Sequence, residues 1–356
     1  MPVARLYSNL KFLRYTDRLA AVAEREIVAP VHVRIKPTNH CNHNCWYCAY
    51  RTDDLKLGED MDERDSIPPS KMIEIADDLI AMKVAAVTFS GGGEPLLYKA
   101  LPETIERLAC GGIAVATLTN GANLKGRMAE ALAAHATWVR VSVDAWDDDS
   151  YVKSRGAREG EFTRLLENMR AFVASGTRCV LGVSFIIGRD NHHRIAEICR
   201  LFKDTGVNHV KLSAAVVGND VAENNRYHRE FAGAAKAEID KALTLADENF
   251  AVLDHYHELG ERFEKLYTTC PSLRFLTVIG ADLNVYTCQD KAYTKDGTLG
   301  SIRDRRFRDF WFSGENRAKI AAFDPSRLCG HHCVAHAKNL AIMEYLSIDP
   351  DHGRFV

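Results

Sequence analysis

Apolar residues recur along this chain in two alternating rhythms. Short runs of apolar or β-branched residues, each ending near Gly, Asn or Asp, predict strands at His32–Pro37, Ala85–Ser90, Ala114–Thr119, Trp138–Val143, Val180–Ile186 and His209–Ser213. Between them, apolar residues return every three or four positions. Met72, Ile75, Ala76, Leu79 and Ile80 share one face of a helix over Lys71–Met82, with Ser70 as its N-cap. Phe162, Leu165, Leu166, Met169 and Val173 repeat the pattern, as do Ile195, Ile198, Cys199 and Phe202. Residues 1–27 read as an amphipathic helical lead-in carrying Leu6, Leu10, Leu13 and Leu19, and a further helix is expected around Tyr227–Asp247.

Strands alternating with helices imply a parallel sheet with right-handed crossovers. Six such units fall short of a full eight-unit barrel, so the expected fold is α/β: an open, partial (β/α)6, TIM-like barrel over residues 28–249. By analogy with full barrels, chemistry belongs at the C-terminal ends of the strands. The stretch Ala49–Pro69 is long and acidic, lacks an obvious element, and is placed to cover those ends. From residue 250 the rhythm breaks into short strands and turns, and residues 250–356 read as a second, cysteine-rich module.

The charged residues narrow the function classes. Net charge is −2 over 356 residues, with acids and bases mixed and no basic block, so nothing points to nucleic acid or anionic lipid. No uncharged apolar run is long enough to span a bilayer, and the N-terminus lacks a secretory core and cleavage site. The expected location is the cytoplasm, without membrane attachment. Ten cysteines are many for that compartment, where clustered thiols more often hold metal than form disulfides.

Cys41, Cys45 and Cys48 follow the first strand directly, which sets three soft ligands at the barrel mouth. Three thiolates on a four-iron cluster leave one iron open to a substrate; a zinc site closed by His40 or His43 is the alternative. Cys270, Cys288, Cys329 and Cys333 lie in the last quarter, enough for a fully ligated four-iron cluster or a zinc, with His332 as a possible replacement ligand. Cys110, Cys179 and Cys199 are scattered. The pattern places the first two at the opposite end of the barrel and the third on a helix stripe, so all three read as buried structural cysteines.

The Cys41-x3-Cys45-x2-Cys48 spacing, with Tyr47 before the last cysteine, resembles the radical S-adenosylmethionine (SAM) superfamily signature. Further family motifs follow in order at successive strand ends. Gly91-Gly92-Gly93-Glu94-Pro95 resembles the turn that binds the SAM amino group, and Thr119-Asn120-Gly121 closes the third strand. Ser142-Val143-Asp144 resembles the ribose-side segment, Ser184 lies near the end of the fifth strand, and Arg155-Gly156 resembles a pair whose arginine meets the SAM carboxylate. The resemblance covers about residues 30–215. It implies Cys41, Cys45 and Cys48 as cluster ligands and Tyr47, Gly92, Gly93, Glu94, Asn120, Ser142, Asp144, Arg155 and Ser184 as SAM-binding positions, with Glu94 and Arg155 serving SAM more than stability. The C-terminal cysteines, with Ile279–Cys288, Leu299–Ile302 and Phe307–Trp311 among them, resemble the auxiliary cluster domains called SPASM and twitch. The layout is most similar to 2-deoxy-scyllo-inosamine dehydrogenase-like members.

What the resemblance implies is reductive cleavage of SAM at a [4Fe-4S] cluster by an external one-electron reductant of flavodoxin or ferredoxin type. Hydrogen abstraction from a small polar substrate, a sugar, aminocyclitol or nucleotide sugar, follows, and a second auxiliary [4Fe-4S] cluster accepts the next electron. Peptide or protein modification, epimerisation and non-catalytic zinc binding are the alternatives. Asp144, Lys211, Tyr50 and Asp290 are candidates to face the cavity, without a general base being assigned among them.

Overall fold

The computed structural model describes residues 7–52, 58–256 and 263–355. Ten strands join in one sheet: β1 (His32–Ile35), β2 (Ala86–Phe89), β3 (Ala114–Thr119), β4 (Ala136–Ser142), β5 (Val180–Ile187), β6 (His209–Ala214), β7 (Ala251–His255), β8 (Leu276–Ile279), β9 (Asn284–Tyr286) and β10 (Thr298–Ser301). Their order is β10-β9-β8-β1-β2-β3-β4-β5-β6-β7. All pairs from β1 to β7 are parallel, as helical crossovers require. The six predicted strands are all present, and the architecture is the partial (β/α)6 barrel with a cysteine-rich C-terminal module.

The strands alternate in character, and the alternation decides what the barrel encloses. Val33, Ile35, Val87, Phe89, Val139, Val141, Val183, Phe185, Val210 and Leu212 are buried in the main hydrophobic core. The intervening residues Arg34, Arg140, Ser184, Lys211 and Ser213 line an internal cavity instead. The helices supply the other half of the core through Met72, Ile75, Leu79, Phe162, Leu165, Met169, Ile198, Cys199 and Phe202. Inside the barrel, Gly182 is required by close approach: a Cβ there would lie 2.2 Å from the His209 ring.

Several local expectations change. The helix near residue 70 runs Pro69–Ala81 with Pro68 at its N-cap and no side-chain cap, so Ser70 lies inside the first turn. The lead-in is a short 3-10 turn, Lys11–Arg14, and a helix, Thr16–Ala23. Phe12, Leu19 and Val22 pack with Ile342 and Phe275, while Leu10 and Leu13 face solvent, so the buried stripe is offset from the one expected. Leu6 lies outside the described residues. The helix around Tyr227–Asp247 is two, Val221–Arg229 and Ala232–Leu243. Cys110, the last residue of helix Leu101–Cys110, is exposed and not buried; Cys179 and Cys199 are buried, and burial pushes both thiols up to about 12.

The sheet runs on past residue 249. β7 adds a seventh parallel strand beside β6, and β8 pairs in parallel with β1 at the other edge. The last quarter of the chain is thereby welded to the cysteine-bearing side of the barrel. Among the described residues, no helix is long and apolar enough to cross a membrane.

Candidate active site

The cysteine loop leaves β1 and is fixed from two sides. Gly93 N donates to Thr38 O at 3.1 Å and Glu94 N to His40 O at 2.9 Å, tying the loop to the turn after β2. The approach is so close that a Cβ on Gly93 would lie 2.1 Å from His40 O. On the other side, Asn44 N donates to Arg155 O at 2.7 Å and Trp46 N to Ser154 O at 3.3 Å, so helix Asp148–Arg155 holds the loop through its last turn. Between Cys41 and Cys48 the backbone makes one tight turn, Cys48 N to Cys45 O at 3.1 Å. The described part of Ala49–Pro69 lies against this loop: Asn39 N donates to Asp65 O, Ile67 N to Pro37 O, and Asp60 N to Tyr293 O. Residues 53–57 lie outside the description.

Arg155, Asp144 and Tyr47 form a buried knot beneath the loop. Arg155 Nε donates to Asp144 Oδ1 at 2.9 Å, and its Nη2 meets both Asp144 and the Tyr47 hydroxyl. Tyr47 in turn donates to Asp144 at 2.8 Å, and Arg155 Nη1 stands 3.7 Å from Cys45 Sγ. Burial, opposed by Arg155, raises the Cys45 thiol above its ordinary value, and burial pushes Cys41 up to about 11. Partly buried thiols of this kind are poor free thiolates, and a cation beside them would favour their ionised form.

Glu94 is committed to the fold. Its Oε1 accepts from Leu96 N at 2.9 Å and Thr119 Oγ1 at 2.5 Å, and its Oε2 accepts from Asn120 N at 2.7 Å. Asn120 continues the network to Asn42 Oδ1 at 2.8 Å, which reaches the cysteine loop again. Glu94 and Arg155 therefore both carry internal bonds that the sequence expectation did not assign to them.

Two spaces open at this end and inside the barrel. A cavity of about 630 Å³ beside the loop is lined by Trp46, Asp144, Trp146, Gly188, Asn191 and Tyr227, among others. Trp46, and not its neighbour Tyr47, faces it. Asn191 shapes its floor by donating to Asp144 O and Ile186 O, both at 2.9 Å, while accepting from Gly188 N at 2.8 Å. Trp46, Asn191 and Tyr227 were not singled out from sequence; the only available signal was Gly188 closing β5. The second cavity, of about 380 Å³, is the barrel lumen and carries Ser184 in its wall; Ser142 is paired with Ser184 in register.

The four C-terminal cysteines all line this lumen. Cys270 precedes the 3-10 turn Pro271–Arg274, Cys288 follows β9, and Cys329 and Cys333 flank the turn before helix His336–Ser347. Burial first, then Asp290 and the charges of Cys333, Cys270 and Cys329, raises Cys288 well above its ordinary value. Asn339 Nδ2 donates to Cys270 Sγ at 3.2 Å. His331 shares this wall with the thiols, whereas His332 lines the neighbouring cavity. Among the described residues, no three His, Cys, Asp or Glu side chains converge closely enough to hold a single metal ion. Desolvated thiols sharing one wall raise one another's proton affinity, and a cation beside them would favour their ionised form.

Lys36 lies between the two cysteine groups. It donates to Tyr50 Oη at 2.7 Å and to Gly91 O, and burial together with Arg34 lowers its ammonium to about 7, opposed by Asp290, Cys48 and Cys288. Of the four candidates for the cavity, Lys211 lines the lumen and Asp144 the outer space; Tyr50 and Asp290 sit around Lys36.

A family model described as the Radical SAM superfamily matches residues 35–202. A stretch of 121 residues is 29% identical to an S-adenosylmethionine-dependent nucleotide dehydratase of Lacinutrix mariniflava, covering 34% of this chain and 25% of that protein. A stretch of 179 residues is 32% identical to a GTP 3′,8-cyclase of Xanthomonas campestris, covering 49% of this chain and 51% of that protein. The chain thus spans between a quarter and about half the length of these curated relatives. In fold it is similar to Streptococcus suis SuiB bound to precursor peptide SuiA, with a TM-score of 0.63 at 15% identity over 93% of this chain and 78% of that one.

Proposed function

We propose, from the premise that this chain belongs to the radical SAM superfamily, that it oxidises a small polar substrate, a sugar, aminocyclitol or nucleotide sugar, by two electrons. The family implies a [4Fe-4S] cluster and SAM; Cys41, Cys45 and Cys48 are the proposed ligands. When bound, these groups supply a 5′-deoxyadenosyl radical, which takes one hydrogen atom from the substrate.

The chain's own residues do the rest. The Arg155–Asp144–Tyr47 knot and the Gly93–His40 contact hold the loop rigid, the cavity under Trp46 and Asn191 offers room for the adenosine, and the lumen receives the substrate. The substrate radical then loses one proton and one electron. The observation that carries the reading is that Cys270, Cys288, Cys329 and Cys333 share the lumen wall with Ser184 and Lys211. A second cluster on those four thiols would stand next to the substrate and, having all its ligands from protein, would act as electron acceptor alone. The reductant is of flavodoxin or ferredoxin type.

Product analysis in deuterated water tests this. The oxidation gives a product two mass units lighter, formed in equal amount with 5′-deoxyadenosine. Deuterium retained at a carbon–hydrogen position without a change of oxidation state would instead establish epimerisation and overturn the reading.

A further inference from the structure

We infer that Lys36 is a positioning residue shared by the two cysteine groups, and that the positive charge on its side chain makes both proposed clusters easier to reduce. The inference rests on the two-cluster reading above and goes beyond it by naming one group that acts on both.

Lys36 follows β1 directly, and it is 1% exposed. Its backbone N–H donates to Ile279 O at 2.9 Å, so the pairing of β1 with β8 fixes its place. The two acceptors of its side chain, the Tyr50 hydroxyl at 2.7 Å and Gly91 O, are uncharged. The Tyr50 hydroxyl in turn donates to Gln289 O at 3.0 Å. Tyr50 is the second residue after Cys48, and Gln289 is the residue after Cys288. One hydroxyl therefore ties the first cysteine loop to the C-terminal module, and Lys36 Nζ stands on it. Tyr293 makes a second tie beside the first: its ring centroid lies 5.7 Å from Nζ, and its hydroxyl donates to Asn39 Oδ1, two residues before Cys41.

A buried ammonium is costly unless nearby charge favours it. Burial and Arg34 act against it here, while Asp290, Cys48 and Cys288 act for it. Two of these three are thiols, one from each cysteine group. Asp290 offsets part of the lysine's charge, and Asp290 and Arg34 stay in place when residue 36 is changed. Each cluster takes up one electron on reduction, so its charge becomes more negative by one. A positive charge held between the two favours both reduced forms, and its burial keeps water and salt from screening it. Local charge is one of the factors that set a cluster's potential. At the first group this eases entry of the electron from the external reductant; at the second it eases acceptance of the electron from the substrate.

Redox titration of the anaerobically reconstituted protein tests this without turnover when SAM is omitted. Dithionite supplies the electrons, dyes mediate, and electron paramagnetic resonance reads each cluster. The Cys41→Ala, Cys45→Ala, Cys48→Ala background identifies the signal of the second one. Lys36→Met should move both midpoint potentials to more negative values, each by roughly tenfold in the reduction equilibrium, about 59 mV for one electron. Lys36→Arg keeps the charge and should leave both near wild type. Tyr50→Phe removes the bridging hydroxyl but not the charge, and should shift both less than Lys36→Met does. Lys36→Gln serves for the same comparison where Lys36→Met holds too little iron. Unshifted potentials, movement of one cluster alone, an equal shift in Lys36→Arg, or loss of iron from both Lys36→Met and Lys36→Gln would overturn the inference. Iron counting on the wild type reports separately: a single cluster would sink the two-cluster reading and this inference with it, whereas two clusters with unshifted potentials would overturn the role of Lys36 alone.

Discussion

Arg155 and Asp144 form an ion pair in which both side chains are almost wholly buried, 2% and 3% exposed, directly under the cysteine loop. The pair joins the end of β4 to the helix that clamps the loop. A buried carboxylate left without its partner is costly, so its removal and the removal of its partner should behave alike. Asp144→Ala is expected to lower stability by about 3–5 kcal/mol. Iron bound per chain should fall with it, because Arg155 also stands 3.7 Å from Cys45 Sγ. Denaturant unfolding and iron analysis of Asp144→Ala and Arg155→Ala check this; unchanged stability in both would show that the pair is dispensable.

Glu94 gives a second, independent prediction. Its carboxylate accepts three hydrogen bonds that fasten the turn after β2 to the end of β3. Glu94→Gln replaces one acceptor oxygen with a donor and should cost about 1.5–3 kcal/mol. Thr119→Val should cost less and couple to it, since both act on one hydrogen-bond network around the Glu94 carboxylate. Thermal melts of the two single variants and the double variant measure the coupling. Normal stability with weakened SAM binding would assign Glu94 to the cofactor instead.

Gly93→Ala tests the packing of the loop. The added methyl would sit 2.1 Å from His40 O, a backbone atom that cannot move without moving the residue next to Cys41. Overpacking of this kind costs about 1–3 kcal/mol. The expected signature is a modest drop in melting temperature with a larger loss of iron at the first cysteine group, read by absorbance and electron paramagnetic resonance after reconstitution.

Two desolvated histidines, His209 and His32, set a pH dependence. His209 is lowered to about 4 by burial and by Arg140, so the unfolded chain binds the extra proton between about 4 and its ordinary value of 6.5. Stability is full above pH 6.5 and is lost as pH falls towards 4, by on the order of 3 kcal/mol from this group. His32, lowered to about 3, acts in the same direction. Unfolding free energy followed from pH 7.5 to 4.5 should fall less steeply in His209→Gln than in the wild type.

Much of this was legible in the sequence because it rests on local pattern. All six predicted strands match, since alternation at period two and helical faces at 3.6 are written into contiguous residues. The ordered motifs put Cys41, Gly93, Asn120 and Asp144 just after successive strands, and Arg155 at the end of the helix that follows. What escaped depends on contacts between distant segments. β7 follows its helix after a short loop and lacks a long apolar run, so Ala251–His255 was assigned to the second module. The capture of β1 by β8, 244 residues apart at His32 and Leu276, has no local signal. The cationic side chains on the lumen wall escaped for the same reason. Arg34, Arg140 and Lys211 lie on three different strands, β1, β4 and β6.

The most direct test compares the wild type with the triple variant Cys41→Ala, Cys45→Ala, Cys48→Ala, both reconstituted anaerobically with iron and sulfide and then mixed with SAM and dithionite. The wild type should hold about eight irons per chain on two clusters, and cleave SAM to methionine and 5′-deoxyadenosine. The variant should keep about half the iron, on Cys270, Cys288, Cys329 and Cys333, and form no 5′-deoxyadenosine. Stoichiometric zinc in place of iron in the anaerobic wild type, or 5′-deoxyadenosine formed at the wild-type rate by the triple variant, would contradict the account.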